Sequence, residues 1–559
     1  MIDGEHAARS LADRYWEQLL ETDPMIGTMV GDERYDDRLP DPSEAGRAAR
    51  EALHRGALEE LALVDRDLSD EGLRTTLDML EAIAERDLAS IEHRLDRLQM
   101  ASHLWGPGGL LAELGSLQRA DTPERLDRYL QRLRATTAFY GAINDVLREG
   151  VEVGVTAPRV VADRAIAQVE RLLSLDPAES PAVQPVPEDD ADGRERVAQV
   201  LRDTVMPALS GYLDALREYL PAATETIGIS ALPNGEAMYE AEILSWTTLP
   251  LEARKVHDLG LEDLEKIQEE RRLIARRMGH PDVASALAEL NASGRNTAES
   301  REALVALAQD QVQRGWEAAP GFFRRRPREN CEVRPVEEFR EADMPFAFYQ
   351  PPSEDGSRSG VYYVNAYDLD DRPLHHLATT TYHEANPGHH FQIAIEQEIA
   401  DRPALRRFGG LMAGSAFCEG WGLYSERLAD EMGLFLDDVE RLGMLDAQAH
   451  RAARLIVDTG IHAFGWSRES AIAQLQEAGV PHTDAVIETD RYITLPGQAL
   501  TYKIGQFEIE HQRAEAAKRD GAAFSLSDFH DRLLGLGSIP LSALRRELGG
   551  ENEGVSPRA

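Results

Sequence analysis

Residues 381–392 read TYHEANPGHHFQ and gather His383, Glu384, His389 and His390 into one short stretch. Imidazoles are common zinc ligands, and a carboxylate beside a ligand can take a proton from the attacking water. A metallopeptidase helix normally spaces its two ligating histidines four apart, as H-E-x-x-H, with the glutamate acting on that water. Here the fourth residue after His383 is Pro387, which offers no ligand atom. In an undistorted helix His389 falls about 240° round the axis, on the wrong face, and His390 sits about 10.5 Å along it. Neither could share an ion with His383. Proline removes a backbone N–H and clashes with the preceding turn, so the helix must kink, bulge or restart at Pro387. Two residues absorbed there bring His389 beside His383, whereas three select His390. His383 and His389 are therefore expected as ligands, with His390 as the alternative to His389 and Glu384 as general base.

Catalytic zinc takes three protein ligands and keeps a fourth position open. GLMAGSAFCEGWGLYSERLAD (410–430) reads as a separate helix that sets Glu419 among small and aromatic residues. This resembles the Glu-zincin arrangement, in which a second helix supplies the third ligand. An apolar setting is costly for a lone carboxylate, so Glu419 should have a cationic partner. One Zn2+ per chain is the expected complement. RAARLIVDTGIHAFGWS (451–467) puts Asp458 and His462 on one helical stripe, where Asp458 could orient His462 toward an oxyanion or substrate. In RYITLPGQALTYKIGQ (491–506), Tyr502 is a candidate donor to a carbonyl oxygen, and Arg491 a bidentate clamp for a terminal carboxylate, with Tyr492 beside it. GVYYVNAYDL (360–369) reads as a strand whose Tyr363 and Asn365 could line a peptide cleft. Each group also has an ordinary structural reading, as core tyrosine, ion-paired arginine or packed strand.

TYHEANPGHHFQ is similar to the HExxPGHH signature of the bacterial family known as domain of unknown function 885. MVGDERYDDRLPD (29–41), YYVNAYDL (362–369), AFCEGWGLYSERLADEMG (416–433), RLIVDTGIHAFGWS and RYITLPGQALTYKIGQ resemble its other signatures, in the family's order. The resemblance implies a largely helical, zincin-like fold similar to carboxypeptidase Taq and related zinc metallopeptidases, and it leaves activity open. The expected function is a zinc-dependent peptidase of Glu-zincin type, carboxypeptidase-like on short peptides. The alternatives are a metal-dependent hydrolase of a non-peptide amide or ester, and a non-catalytic helical scaffold with a residual metal site. A serine hydrolase is set aside, because no G-x-S-x-G occurs.

The elements that must position these residues are mostly α. Helical periodicity rich in Ala, Leu, Glu and Arg runs through 43–64, 70–100, 123–148, 192–219 and 251–278, and 175–193 reads as an acidic, Pro-rich loop. Between 330 and 365 Val, Phe and Tyr accumulate between turn residues, predicting two or three short strands just before the motif helix. The expected organisation is a helical scaffold over 1–330 and a metal-binding region over 331–559, joined as one continuous unit. The chain has 559 residues, 42% of them hydrophobic, which supports a sizeable core. Its net charge of −39 disfavours nucleic acid and anionic lipid as partners. Two cysteines, Cys331 and Cys418, provide no disulfide framework. No signal-peptide pattern and no long apolar run is present, so a cytoplasmic location is expected.

Overall fold

Alanine, leucine, glutamate and arginine at three- and four-residue spacings bury one stripe per helix, and most of the chain folds this way. The computed structural model describes residues 4–66, 68–338, 341, 344–352, 359–399 and 402–549. Side-chain caps set many helix starts. Ser43 accepts from the Gly46 N–H ahead of Glu44–Leu61, and Asp70 from the Leu73 N–H ahead of Glu71–His93. The pattern over 123–148 resolves into two helices, Pro123–Arg134 and Thr136–Val153. That over 192–219 becomes Ala191–Val200 and Met206–Tyr219, joined by a π turn. The acidic, Pro-rich segment is a loop with two 3-10 turns as far as Asp190, and its last three residues begin the helix from Ala191.

The elements around the motif need labels: α1 (Gly235–Thr247), α2 (Ala253–Arg277), α3 (Arg301–Ala318), β1 (Glu332–Pro335), β2 (Ala347–Gln350), β3 (Val361–Val364), α4 (Leu377–Glu384), α5 (His389–Gln397), α6 (Ala416–Glu431), α7 (Asp438–His462), α8 (His482–Thr494) and α9 (Thr501–Asp520). The three strands form one sheet in the order β1-β3-β2, with β1 parallel and β2 antiparallel to β3. The chain is therefore mostly α, with a small sheet preceding the motif helix. β3 is central and both its edges are paired, so it has no free edge for a peptide.

The two largest apolar clusters of the interior each draw on both sides of residue 330. One joins Tyr129 and Tyr212 to Tyr382, Leu445 and Ile456. The other joins Trp16 and Leu77 to Phe391, Trp421 and Ile504. α2 packs along α7, and α6 along α9. The α6–α9 crossing is closest at Gly420 and Gly505, where a Cβ on Gly505 would lie 1.8 Å from the Ala416 carbonyl oxygen. Among the described residues no helix is long and apolar enough to cross a membrane.

Candidate metal centre

The helix does restart at Pro387. α4 ends at Glu384 and α5 begins at His389. Trp421 holds the break, since its Nε1 lies 3.0 Å from the Pro387 carbonyl oxygen and 3.1 Å from that of Gly388. Asn386 ties it on the other side, donating to the Val312 carbonyl oxygen and to Asn330 Oδ1. The result brings the His383 and His389 rings to a centroid separation of 4.7 Å.

Glu419, in the first turn of α6, meets both imidazoles. Its Oε2 is 3.6 Å from Nε2 of His383 and 3.8 Å from Nε2 of His389. Ligand bonds of about 2.0–2.2 Å set tetrahedral edges of about 3.3–3.6 Å, so the two edges from Glu419 suit a zinc ion after a small contraction. His383, Glu384 and His389 also place ligand atoms within 4.8 Å of one another. His390 is excluded by its own bonds: Nδ1 is 2.9 Å from the Tyr349 hydroxyl and Nε2 is 2.9 Å from the Glu329 carbonyl oxygen. It fastens α5 to β2 and the segment before the sheet.

The charges around the centre are coupled. Burial pushes the Glu384 carboxyl up, His383 draws it back and Glu419 adds to the push, leaving it at about 7. Burial also raises Glu419, but the bond from His383 and the charge of His389 outweigh this and hold it at about 2. His389 is kept neutral, at about 4, by burial and by His383. For His383 burial works downward, yet Glu419 and Glu426 raise it to about 9. Ligation releases such a proton.

Glu426 is the residue that motif spacing missed. It lies two turns beyond Glu419 on the same face of α6, fully buried, with Oε1 2.9 Å from His383 Nδ1. Gln448 donates to its other oxygen, and Lys503 joins Gln448 to Asp263. A carboxylate on the far nitrogen of an imidazole fixes its tautomer and leaves Nε2 facing the centre. Gly422 completes this seat, because a Cβ there would lie 2.7 Å from the His383 ring.

The remaining candidates are held by other bonds, and of them His462 lines the cavity that reaches the centre. Asp458 and His462 do not form a pair. Asp458 accepts from Tyr239 and the Gly497 N–H, while His462 bonds the Tyr492 carbonyl oxygen and the Ile229 N–H. Adjacent backbone polar groups claim both side chains, so Asp458 does not orient His462. Tyr492 is buried in a network with Glu488 and Arg454 and does not line the cavity. Arg491 engages Glu488 and Gln498, with the Tyr502 hydroxyl 3.4 Å away, and Arg454 lies 4.3 Å over the Tyr502 ring. Strand alternation turns Tyr363 to the outer face of the sheet against Phe348, while Tyr362 faces inward and accepts from Thr381. Asn365 is fully buried, and its amide spans three backbone carbonyls of residues 341–345. It ties a loop and is withdrawn from any cleft.

A cavity of about 780 Å³ reaches the centre along Ser415, Cys418 and Glu419. Its far walls are largely apolar, and Trp105 and Trp246 stand there with ring centroids 5.6 Å apart. Both cysteines are free thiols, and Cys418 Sγ lies 3.6 Å from His389 Nδ1.

The chain belongs to the family described as bacterial protein of unknown function (DUF885), which matches residues 24–548. A crystal structure of a protein from Colwellia psychrerythraea, provisionally named a lipoprotein, superimposes with a TM-score of 0.89 at 26% identity. The match covers 98% of this chain and 99% of that one. A protein from Shewanella oneidensis, provisionally named a lipoprotein of unknown function, shares the fold at a TM-score of 0.78 and 19% identity, over 96% and 98% of the two chains. No curated protein matches the chain.

Proposed function

We propose that this DUF885 member is a zinc-dependent hydrolase of Glu-zincin type, acting on short peptides from the carboxyl end. One observation carries the reading: two imidazoles and a carboxylate converge while a second carboxylate, Glu384, stands beside them coupled by charge rather than by a hydrogen bond. A purely structural site has no use for that group. His383, His389 and Glu419 would hold the ion, which in such sites polarises a carbonyl and makes water more acidic. Glu384 takes a proton from the attacking water and returns it to the leaving nitrogen, a role suited to a carboxyl near neutrality. Glu426 keeps His383 in the ligating tautomer.

The partly enclosed cavity favours small substrates over folded chains. Arg491 is the candidate for the terminal carboxylate: it stands behind the cavity wall, bonded to Glu488 and to Gln498, and Gln498 lines the cavity. Two measurements test the proposal. Zinc-loaded protein should cleave members of a dipeptide and tripeptide panel and lose this activity with chelator; no cleavage anywhere on the panel would favour the scaffold reading. Arg491→Ala should impair cleavage of free-carboxyl peptides more than tenfold beyond that of amidated ones, since a charge-assisted bidentate contact is worth about 1.5–3 kcal/mol. Equal losses would remove the carboxypeptidase element. The names of the two similar structures favour a membrane-anchored location over the cytoplasmic one, and cell fractionation separates these.

A further inference from the structure

A second convergence of ligand atoms lies at the other end of α4. His375 and His376 occupy the 3-10 turn that leads into the helix, and Asp446 reaches them from α7. Oδ2 of Asp446 is 3.3 Å from Nε2 of His375 and 3.5 Å from Nε2 of His376. All three ligand atoms lie within 4.8 Å of one another. These edges match the about 3.3–3.6 Å of a tetrahedral ion at least as well as those of the first centre.

Hydrogen bonding decides what the His375 ring presents. Asn296 Oδ1 accepts from the His375 backbone N–H at 3.0 Å, which fixes it as the acceptor end of the amide, and the Asn296 amide nitrogen donates to Asn291. His375 Nδ1 is also 3.0 Å from that oxygen and must therefore carry a proton. In a neutral ring the Nε2 lone pair then points at a carboxylate oxygen, a repulsive arrangement unless a positive charge lies between them. An imidazolium is one source of that charge, but Asp446 is already neutralised by Arg271, whose Nη2 is 2.6 Å from the other oxygen, Oδ1. A ring that donates Nδ1–H to an oxygen and turns Nε2 to a shared carboxylate is the usual posture of a metal-bound histidine.

We propose that Nε2 of His375, Nε2 of His376 and Oδ2 of Asp446 hold a second divalent cation of the borderline class that imidazole and carboxylate both accept, with zinc the natural probe. Arg271 restricts Asp446 to one ligating oxygen. His376 has a third of its side chain exposed, so water can complete the shell. His375 and His383 are eight residues apart, which separates the two ends of the segment by roughly 12 Å if wholly helical. Two-metal catalysis needs about 3.5–4 Å, so this ion is structural. It pins the head of α4 to α7, where Gly443 already admits the His375 carbonyl so closely that a Cβ would lie 1.7 Å from it. The proposal does not depend on the hydrolase reading.

Metal counting on the full chain tests it. Protein loaded with Zn2+ and desalted should retain two equivalents. His376→Ala, at a partly exposed position, should retain one, and His383→Ala combined with His389→Ala should also retain one. Adding His376→Ala to that pair should leave none, with loss of the zinc-induced rise in Tm. Failure of the first centre alone would appear as one equivalent that only His376→Ala removes. Wild type that binds no zinc sensitive to His376→Ala would overturn the second site.

Discussion

Replacing Glu384 by glutamine keeps the shape of α4 and all three proposed ligands while removing the proton acceptor. Zinc content should be unchanged and turnover should fall by about 10²–10⁴-fold, the usual worth of general acid–base catalysis. A variant that keeps both its metal and wild-type turnover would rule out Glu384 as the base. His389→Ala should deplete the metal of the first centre. His390→Ala should keep it and instead lose stability, by about 1–3 kcal/mol, because its bonds to the Tyr349 hydroxyl and the Glu329 carbonyl are both removed. Metal analysis with thermal melts separates the two, and metal loss in the His390 variant alone would reverse the assignment. At this scale the sequence was informative where chemistry demands rare residue types at fixed intervals, as for His383, Glu384, His389 and Glu419. Glu426 escaped because a glutamate two turns along an amphipathic helix is ordinarily solvent-facing, and nothing local marks it as buried. Asp458 and His462 misled for the converse reason: sharing a helix stripe does not say which backbone groups will claim each side chain.

Elements act here by how closely they can pass. Gly422 lets α6 lie against the His383 ring, so Gly422→Ala must displace either the ring or the helix. Overpacking of this kind costs about 1–3 kcal/mol. Because the first thing in the way is a proposed ligand, zinc affinity should drop at least tenfold even if the melting temperature moves only slightly. Isothermal titration checks this, and unaltered affinity would show that the ring has room to shift. Periodicity located most helices, and the change in composition near 330 located the sheet. The order β1-β3-β2 was not readable, because strand sequences specify a buried face more clearly than a neighbour. That order closes both edges of β3, and the alternation along it sends Tyr362 inward and Tyr363 outward.

Across the whole molecule, apolar patterning tells which face of each helix is buried but not against what. A boundary near residue 330 therefore looked natural in the chain, although both interior clusters run across it. The same interior holds carboxyls hydrogen-bonded to neutral donors. Burial pushes Glu242 up, against a hydrogen bond from Trp246 and with the help of Asp458, to about 8. Burial likewise brings Asp458 to about 7, despite its bonds from Tyr239 and Gly497. Both folded values exceed the ordinary carboxyl range, so the native state binds more protons than the unfolded chain between about pH 4 and the raised values. Their contribution to stability is complete below about pH 4 and is lost as pH rises through about 7 and 8. Denaturant titrations should show that Glu242→Gln flattens this decline, and an unchanged slope would assign it to other groups. The tryptophan pair in the cavity wall has an optical consequence. Trp105 is 72% exposed and leans on Trp246 at an interplanar angle of 32°, whereas Trp421 is wholly enclosed. Trp105 should thus dominate the red edge of the emission spectrum, and anything entering the cavity should strip water from its indole. A blue shift on adding a peptide, absent in Trp105→Phe, would report binding before any bond is broken and in protein stripped of metal.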